Sequence, residues 1–516
     1  MRSMTSKGAS VANQSCTNTN DGKTILTDAD CSEVLGYAFS TWKKWRILIV
    51  IFCVQCSMNF NTSLYSNGLV GMSEEFGISL QTARTGAGVF LVTYAFGCEL
   101  WAPWSEEFGR RWIMQISLLL VNLCCIPVAL ANNFPLIAIF RALGGLFSAG
   151  GSVTLGIVAD MYTAETQQYA VAFVVFSSVG GSIFGPIVGG YVESHLNWRW
   201  CMWLQLIAGV VVQAMHYFLV DETRTTVLIT NHAKDLRKAD NTLNVYGPME
   251  VKTWKETLAP KELVALWIRP FKMFFTEPIV AVLSLLSGFS DALIFMGFQS
   301  FGLVYKIWGF TPSQVGLTFI AIGLGYFLAY LSYIPAIKRN MNQRRQDPGN
   351  EFANYEGRMW WLMYTAPCLP IGLVMFAWTS NASLHWILPV IASGIIGIAN
   401  YSVYMGTIDY LVASYGEFAA SATGGNGFAR DFLAGILTWA AIPFYEAFQE
   451  GTDQYLQWAN TALAFISLLL VAATFWVYFK GPSLRARSSF AQRLADAESE
   501  KATIPPPNGR FEPLTV

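Results

Sequence analysis

Five ionisable residues lie among apolar neighbours that leave them little water: Glu99, Arg141, Asp291 and the adjacent pair Arg430 and Asp431. In a low-dielectric interior such groups bind and release protons, pair with one another or hold a charged ligand. Asp291 lies fourteen residues into an apolar run that begins at residue 277. That is about 21 Å along a helix, too deep for an end cap. It reads as a proton-titrating or cation-binding group, with a buried salt bridge to an arginine of another element as the equal alternative. Arg430 and Asp431, as sequence neighbours, are expected to point to different sides of a helix and to find separate partners. Arg141 would cost a few kcal/mol in lipid, so it is expected to face protein and find carbonyls, an acid or water.

Other chemistries lack their residues. There is no Gly-rich phosphate loop ending in Gly-Lys-Ser/Thr, so ATP hydrolysis is not expected. His195, His216, His232 and His385 are scattered with no second ligand at helical spacing, so neither a metal site, a cofactor nor an enzymatic centre is predicted. Seven of nine cysteines (Cys53, Cys56, Cys98, Cys124, Cys125, Cys201, Cys368) fall within apolar runs, and Cys16 and Cys31 in the polar N-terminal tail. All are expected to be free thiols.

Composition sets the elements that must hold these residues. Of 516 residues, 53% are apolar and 13% charged, against about 25% charged in soluble domains, so a water-facing surface cannot be assembled. A net charge of -1 and a pI near 6.5 argue against a nucleic-acid binder. Residues 47–73, 112–140, 166–192, 307–337 and 454–479 contain no Asp, Glu, Lys or Arg, and 359–408 is charge-free for long enough to cross a bilayer twice. Twelve spans are predicted, near 47–70, 84–103, 112–131, 134–158, 168–191, 199–220, 277–303, 314–337, 359–379, 385–408, 420–443 and 457–479. The fold class is therefore all-α, a polytopic membrane protein of two six-helix halves. The predicted units are a disordered tail (1–45), a first half (46–220), a linker (221–276), a second half (277–480) and a second tail (481–516). Of 33 lysines and arginines, 28 fall in the tails, the linker and the loops on one side. Basic loops stay cytoplasmic, so both termini are expected inside. The linker, with Lys234–Lys238 and the amphipathic stretch Leu258–Phe275, reads as surface helices under the membrane, or else as a disordered tether. No cleavable signal is visible, so the first span is expected to direct insertion. The halves show no evident sequence repeat.

Between spans 2 and 3, Ala102-Pro103-Trp104-Ser105-Glu106-Glu107-Phe108-Gly109-Arg110-Arg111 is a tight charged turn. Gly109 permits the reversal, while Arg110 and Arg111 would repel the next helix dipole unless a carboxylate compensates; Asp160 is the candidate. An ordinary basic hairpin is the plain alternative. Asn59, Asn61, Phe295, Phe298, Gln299, Tyr401 and Tyr404 are candidates to line a central cavity, against packing or lipid contact. In span 5, Gly181, Gly185 and Gly189 recur every fourth residue and make a flat face, with Pro186 and Gly190 beside them.

These residues carry a resemblance. Ser105-Glu106 followed by Gly109-Arg110-Arg111 is similar to the signature loop of the major facilitator superfamily. The preceding Ala102-Pro103 resembles the fungal drug:proton antiporter branch with twelve spans. Thr276-Glu277-Pro278-Ile279, Trp308-Gly309-Phe310-Thr311, Pro370-Ile371-Gly372-Leu373, Phe376-Ala377-Trp378-Thr379 and Tyr415-Gly416-Glu417-Phe418-Ala419-Ala420-Ser421-Ala422 are similar to that branch in order. The resemblance implies a proton-coupling role for Arg141, although Gly144 replaces the usual polar neighbour; a structural interhelical bond is the alternative. It likens Gly185-Pro186 with Gly189-Gly190 to the antiporter motif of exporters, with Ala172 in place of a further glycine. Arg430 matches a family arginine, whereas Glu99, Asp291 and Asp431 depart from the pattern.

The expected function is proton-coupled export of a small organic, amphipathic compound by alternating access. Arg141 and Asp291 would couple the proton, and Glu106, Gly109, Arg110, Arg111 and Asp160 would latch the outward-facing state. The expected partners are the substrate, protons and the lipid bilayer, with no nucleic acid. A monomer in the plasma membrane is expected. Proton-coupled uptake of a nutrient or polyamine, and a non-transporting sensor on the same scaffold, are the alternatives.

Overall fold

The structure is a computed structural model describing residues 17–18, 24–162, 166–251, 260–347, 349–415, 418–449, 454–488, 490 and 492. Among these, ten helices are long and apolar enough to cross a membrane. They are span 1 (Thr41–Phe76, with a tighter 3-10 turn at Ser66–Gly68), span 3 (Arg110–Ala129), span 4 (Phe134–Met161), span 5 (Gln167–His195), span 6 (Arg199–Leu219), span 7 (Pro278–Trp308), span 8 (Pro312–Gln346), span 9 (Glu356–Thr379), span 10 (Ile387–Tyr415) and span 12 (Tyr455–Arg485). Span 2 (Leu80–Phe108) and span 11 (Ala419–Gln449) are equally long but less apolar. They carry small polar residues and the buried charges Arg84, Glu99, Arg430 and Asp431, and they pack on one another.

The architecture is two six-helix halves that meet through span 2 on span 11 and span 5 on span 8. Helix starts follow local chemistry. Ser79 accepts from the Thr82 amide at 3.1 Å, and Thr311 with Gln314 forms a capping box ahead of Pro312. Several helices continue beyond the apolar core that predicted them. Span 8 runs 35 residues to Gln346, about 52 Å, so its last turns project past the hydrocarbon.

Span 4 breaks between Phe147 and Gly150, where a helix in lipid would leave polar backbone unpaired. Ser117 of span 3 mends it, donating to the Phe147 carbonyl at 2.7 Å and accepting from the Ala149 amide at 2.9 Å.

The disordered state expected for residues 1–45 needs correction where the chain is described; residues 1–16 and 19–23, with Cys16, lie outside it. Thr24–Ile25 pairs in parallel with Val245–Tyr246 of the linker. Leu26, Cys31 and Leu35 are buried against Ile229 and Ala233 of the linker helix Thr225–Ala239. The apolar face of that helix is thus covered by the tail. Gly36 then lies on the Asp160 carbonyl so closely that no β-carbon fits. The second linker helix, Pro260–Thr276, packs on spans 2, 7 and 11. Leu258 and Ala259 of the predicted amphipathic stretch, Gly416 and Glu417 of the family-like segment, and 493–516 of the second tail lie outside the described residues.

Candidate functional site

At the end of the bundle bearing both tails, hereafter the tail end, the charged turn closes on itself. Gly109 has φ +95°, a conformation that L side chains rarely adopt. Arg110 donates from Nε to Asp160 Oδ2 at 3.0 Å, from Nη1 to Ser105 Oγ at 2.6 Å, and lies 3.9 Å from Glu106 Oε1. Arg224 adds a second cation 3.5 Å from Asp160 Oδ1. The carboxylate that compensates the start of span 3 is Glu222, not identified from sequence. It accepts the Arg110 amide at 3.0 Å and the Arg111 amide at 3.2 Å. The Arg111 side chain turns outward and donates to the Tyr217 carbonyl at 2.8 Å. A carboxylate on orphan amides at a helix start is favoured by both hydrogen bonding and the dipole.

The second half repeats this arrangement. Gly357-Arg358 opens span 9 as Gly109-Arg110 opens span 3, and Arg358 Nη1 meets Asp409 Oδ1 at 2.9 Å. Tyr333 donates to Asp409 Oδ2 at 3.0 Å, and so does Gln168 of the first half, at 2.7 Å. Gln168 accepts from Arg344 at 3.2 Å, which joins the halves at this end. Beside it, Arg485 is hydrogen-bonded to the buried Glu356, which also accepts from Tyr410 at 3.1 Å.

Arg141 is buried with no carboxylate partner among the described residues. It donates from Nη1 to Asn61 Oδ1 at 2.9 Å and from Nε to the Gly86 carbonyl at 3.3 Å. Its guanidinium centre lies 4.0 Å from the Phe90 ring and 4.4 Å from the Tyr65 ring, while Nη2 has no hydrogen-bond partner. A cation between two aromatic faces is partly compensated without an acid.

Charge balance is reversed in the other half. Arg430 faces both Asp291, at 3.6 Å, and Asp431, at 3.3 Å, with its centre 4.1 Å from the Tyr404 ring. The expectation that Arg430 and Asp431 pair separately is corrected, because the long arginine side chain folds back onto its neighbour. Asp291 is in the ion pair that was its alternative reading. Two acids thus share one cation, whose Nη1 has no partner.

The halves also touch at the far end. Gln299 accepts from Arg84 at 3.3 Å and donates to Ser66 at 2.8 Å, and Gln81 donates to the Trp439 carbonyl at 2.7 Å. The seven candidate cavity residues take protein partners. Asn61 holds Arg141, and Asn59 donates to the Gln55 carbonyl at 3.0 Å. Phe295 packs edge-to-face on Phe298, with centroids 5.2 Å apart. Tyr401 reaches across the halves to the Ala172 carbonyl at 3.0 Å, and Tyr404 covers Arg430. A cavity of about 30 Å³ lies inside the second half, lined by Phe301, Phe376, Tyr445 and Asn460 among others. Small-molecule sites need about 300–1,000 Å³.

The span 5 glycines have two addresses. A β-carbon on Gly181 would meet the Cys56 carbonyl oxygen at 2.6 Å, and one on Gly185 the Leu64 amide at 2.7 Å; Gly189 lies equally tightly on Asn67. Span 1 therefore rests directly on this face. Gly190 instead backs the Pro312 carbonyl, 2.6 Å from where a β-carbon would sit, and the Pro186 carbonyl lies on Gly316. These contacts join span 5 to span 8 in the other half.

Residues 51–438 match the model of the Major Facilitator Superfamily. The chain is similar to the transporter paaT of Penicillium rubens, 32% identical over 87% of this chain and 80% of that one. It is also similar to the MFS-type transporter oryN of Aspergillus oryzae, 30% identical over 83% and 82%. Among solved structures it resembles the xylose transporter XylE of E. coli in a partially occluded inward-open form, at 14% identity, TM-score 0.55 and coverage of 84% of this chain and 98% of that chain. The human organic anion transporter MFSD10 aligns at 17% identity and TM-score 0.52, covering 83% and 99%. At those identities the likeness is one of fold. The chain is a multi-pass membrane transporter that belongs to the major facilitator superfamily.

Proposed function

We propose that this carrier exports a small organic, amphipathic compound (a drug, toxin or secondary metabolite) in exchange for protons. It would act as a monomer in the plasma membrane, with the tail end cytoplasmic, and carry out no enzymatic step. The observation that carries the reading is the uneven charge inside the bundle: Arg430 shared by Asp291 and Asp431, and Arg141 with no acid partner among the described residues. Buried charges are costly, and an unbalanced set is one whose protonation changes as the halves move. A proton then shifts the inward–outward equilibrium by its differential affinity for the two forms. The span 5 glycines, which resemble the exporter motif, support the export direction.

The test of direction loads expressing and non-expressing yeast cells with rhodamine 6G and follows dye release on adding glucose. Faster release from expressing cells is expected. Greater accumulation in them would instead indicate uptake.

A further inference from the structure

Glu99 is a buried acid that neither the charged turns nor the Arg430 cluster absorbs. It sits on span 2, nine residues before the helix end at Phe108, about 14 Å from the tail end. It is 6% exposed, and among the described residues no group donates to it and no cation lies within ion-pair distance. Its carboxyl is pressed on span 11. A β-carbon on Gly424 would lie 2.6 Å from Oε2 and 2.9 Å from Oε1. One turn away, Phe96 packs on Phe271 of the linker helix and on Phe428 and Phe432 of span 11, which makes the surroundings apolar.

Among the described residues, the groups around Glu99 offer it no neutralisation. On span 11, Asp431 lies about two turns beyond Gly424 and carries the same sign, and its cation Arg430 also serves Asp291. Tyr94 and Cys98 on its own helix face Gly151 of span 4. On the linker helix, Arg269 lies over the Phe418 ring and Lys272 is exposed; neither reaches Glu99. The charges at the tail ends of spans 1, 3 and 4 are held elsewhere: Lys43 and Arg46 by Asp221, Arg110 by Asp160, and Arg111 by the Tyr217 carbonyl.

An ionised carboxylate here would be buried with no counter-charge among the described residues, whereas a neutral carboxyl fits. The geometry points to Glu99 as a proton-binding site that governs closure of span 2 on span 11: neutral, it seats against Gly424; ionised, it drives the two spans apart at the tail end. This rests on the proton-coupled reading above and adds a residue and a moving contact to it. A proton from solution binds the carboxylate as the spans close and returns to the tail side as they open.

The test uses the full chain in lipid nanodiscs. Amide hydrogen exchange is followed over residues 95–104 and 420–432 at pH 5 and pH 8, with labelling times scaled for the intrinsic pH dependence of exchange. The wild type is expected to exchange roughly tenfold faster at pH 8. Glu99→Gln, neutral throughout, is expected to stay slow at both values, and Glu99→Asp to keep the response. A wild-type rate that ignores pH overturns the proposal without any variant, and so does a Glu99→Gln protein that opens with pH as the wild type does. Rhodamine 6G flux under an imposed pH difference separates this idea from the broader one. Gradient-driven flux with pH-insensitive exchange overturns the Glu99 site alone. Gradient-insensitive flux with a Glu99-dependent exchange response overturns proton antiport and supports the site.

Discussion

Arg110 donates its Nε–H to the Asp160 carboxylate at 3.0 Å, tying the start of span 3 to the end of span 4, with both side chains buried. Arg358 and Asp409 form the same tie at 2.9 Å in the other half. Removing one partner of a buried ion pair costs about 3–5 kcal/mol because the other charge is left uncompensated. Asp160→Ala is expected toward the low end, since Glu106 also faces Arg110. Asp409→Ala strands Arg358 and also releases Tyr333 and Gln168, so it should cost more. Thermal unfolding of the purified variants checks the order, Asp409→Ala below Asp160→Ala below wild type.

Arg141 is held by two hydrogen bonds from different guanidinium nitrogens and by two ring faces. A lysine ammonium cannot reproduce that fork. Arg141→Lys is therefore expected to insert and fold yet lose gradient-driven efflux nearly as fully as Arg141→Ala. Dye efflux and membrane abundance, measured together, decide it. Full efflux in Arg141→Ala removes the residue from coupling.

Gly185 allows span 1 to lie against span 5. A β-carbon there would sit 2.6 Å from Ser63 Cβ and 2.7 Å from the Leu64 amide, largely rigid helix backbone. Gly185→Ala is expected to cost roughly 1–3 kcal/mol through overpacking, while alanine at Gly180, where nothing lies within 4 Å, should be neutral. The thermal shift of the two variants relative to wild type is the readout.

The spans were legible because each needs a long charge-free run, and the charged turn because glycine, arginines and acids sit within ten residues. What could not be read is what pairs at a distance. Asp409 lies one residue past a charge-free run and finds Arg358 only after the chain has crossed the bundle twice. The doubled Gly-Arg and Asp tie is therefore a repeat of geometry carried by a few residues, invisible as sequence similarity between halves. Glu222 looked like linker, because an acid that caps another helix's amides has no local pattern. The order of the tail is not legible in sequence because its paired strand segments are two residues long, too short for alternation to register.

Tail docking makes its own prediction. Cys31 is buried beneath Leu35, and its thiol is pushed up to about 11 by burial, with Asp30 and Asp28 adding to the effect. The sign is that of an acid kept neutral: the thiolate forms only as pH rises toward that value. Mass-spectrometric mapping of maleimide labelling at pH 8 should therefore find Cys31 nearly unmodified. Leu35→Asp, which undocks the tail from Ile229 and Ala233, should label readily.

Proton coupling is tested most directly with the purified carrier in liposomes enclosing a pH-sensitive dye. Rhodamine 6G is imposed as a gradient with no initial pH difference. Dye movement one way should drive protons the other way, producing an internal pH change that Arg141→Ala abolishes. Rhodamine flux at the wild-type rate with no accompanying pH change would contradict the account.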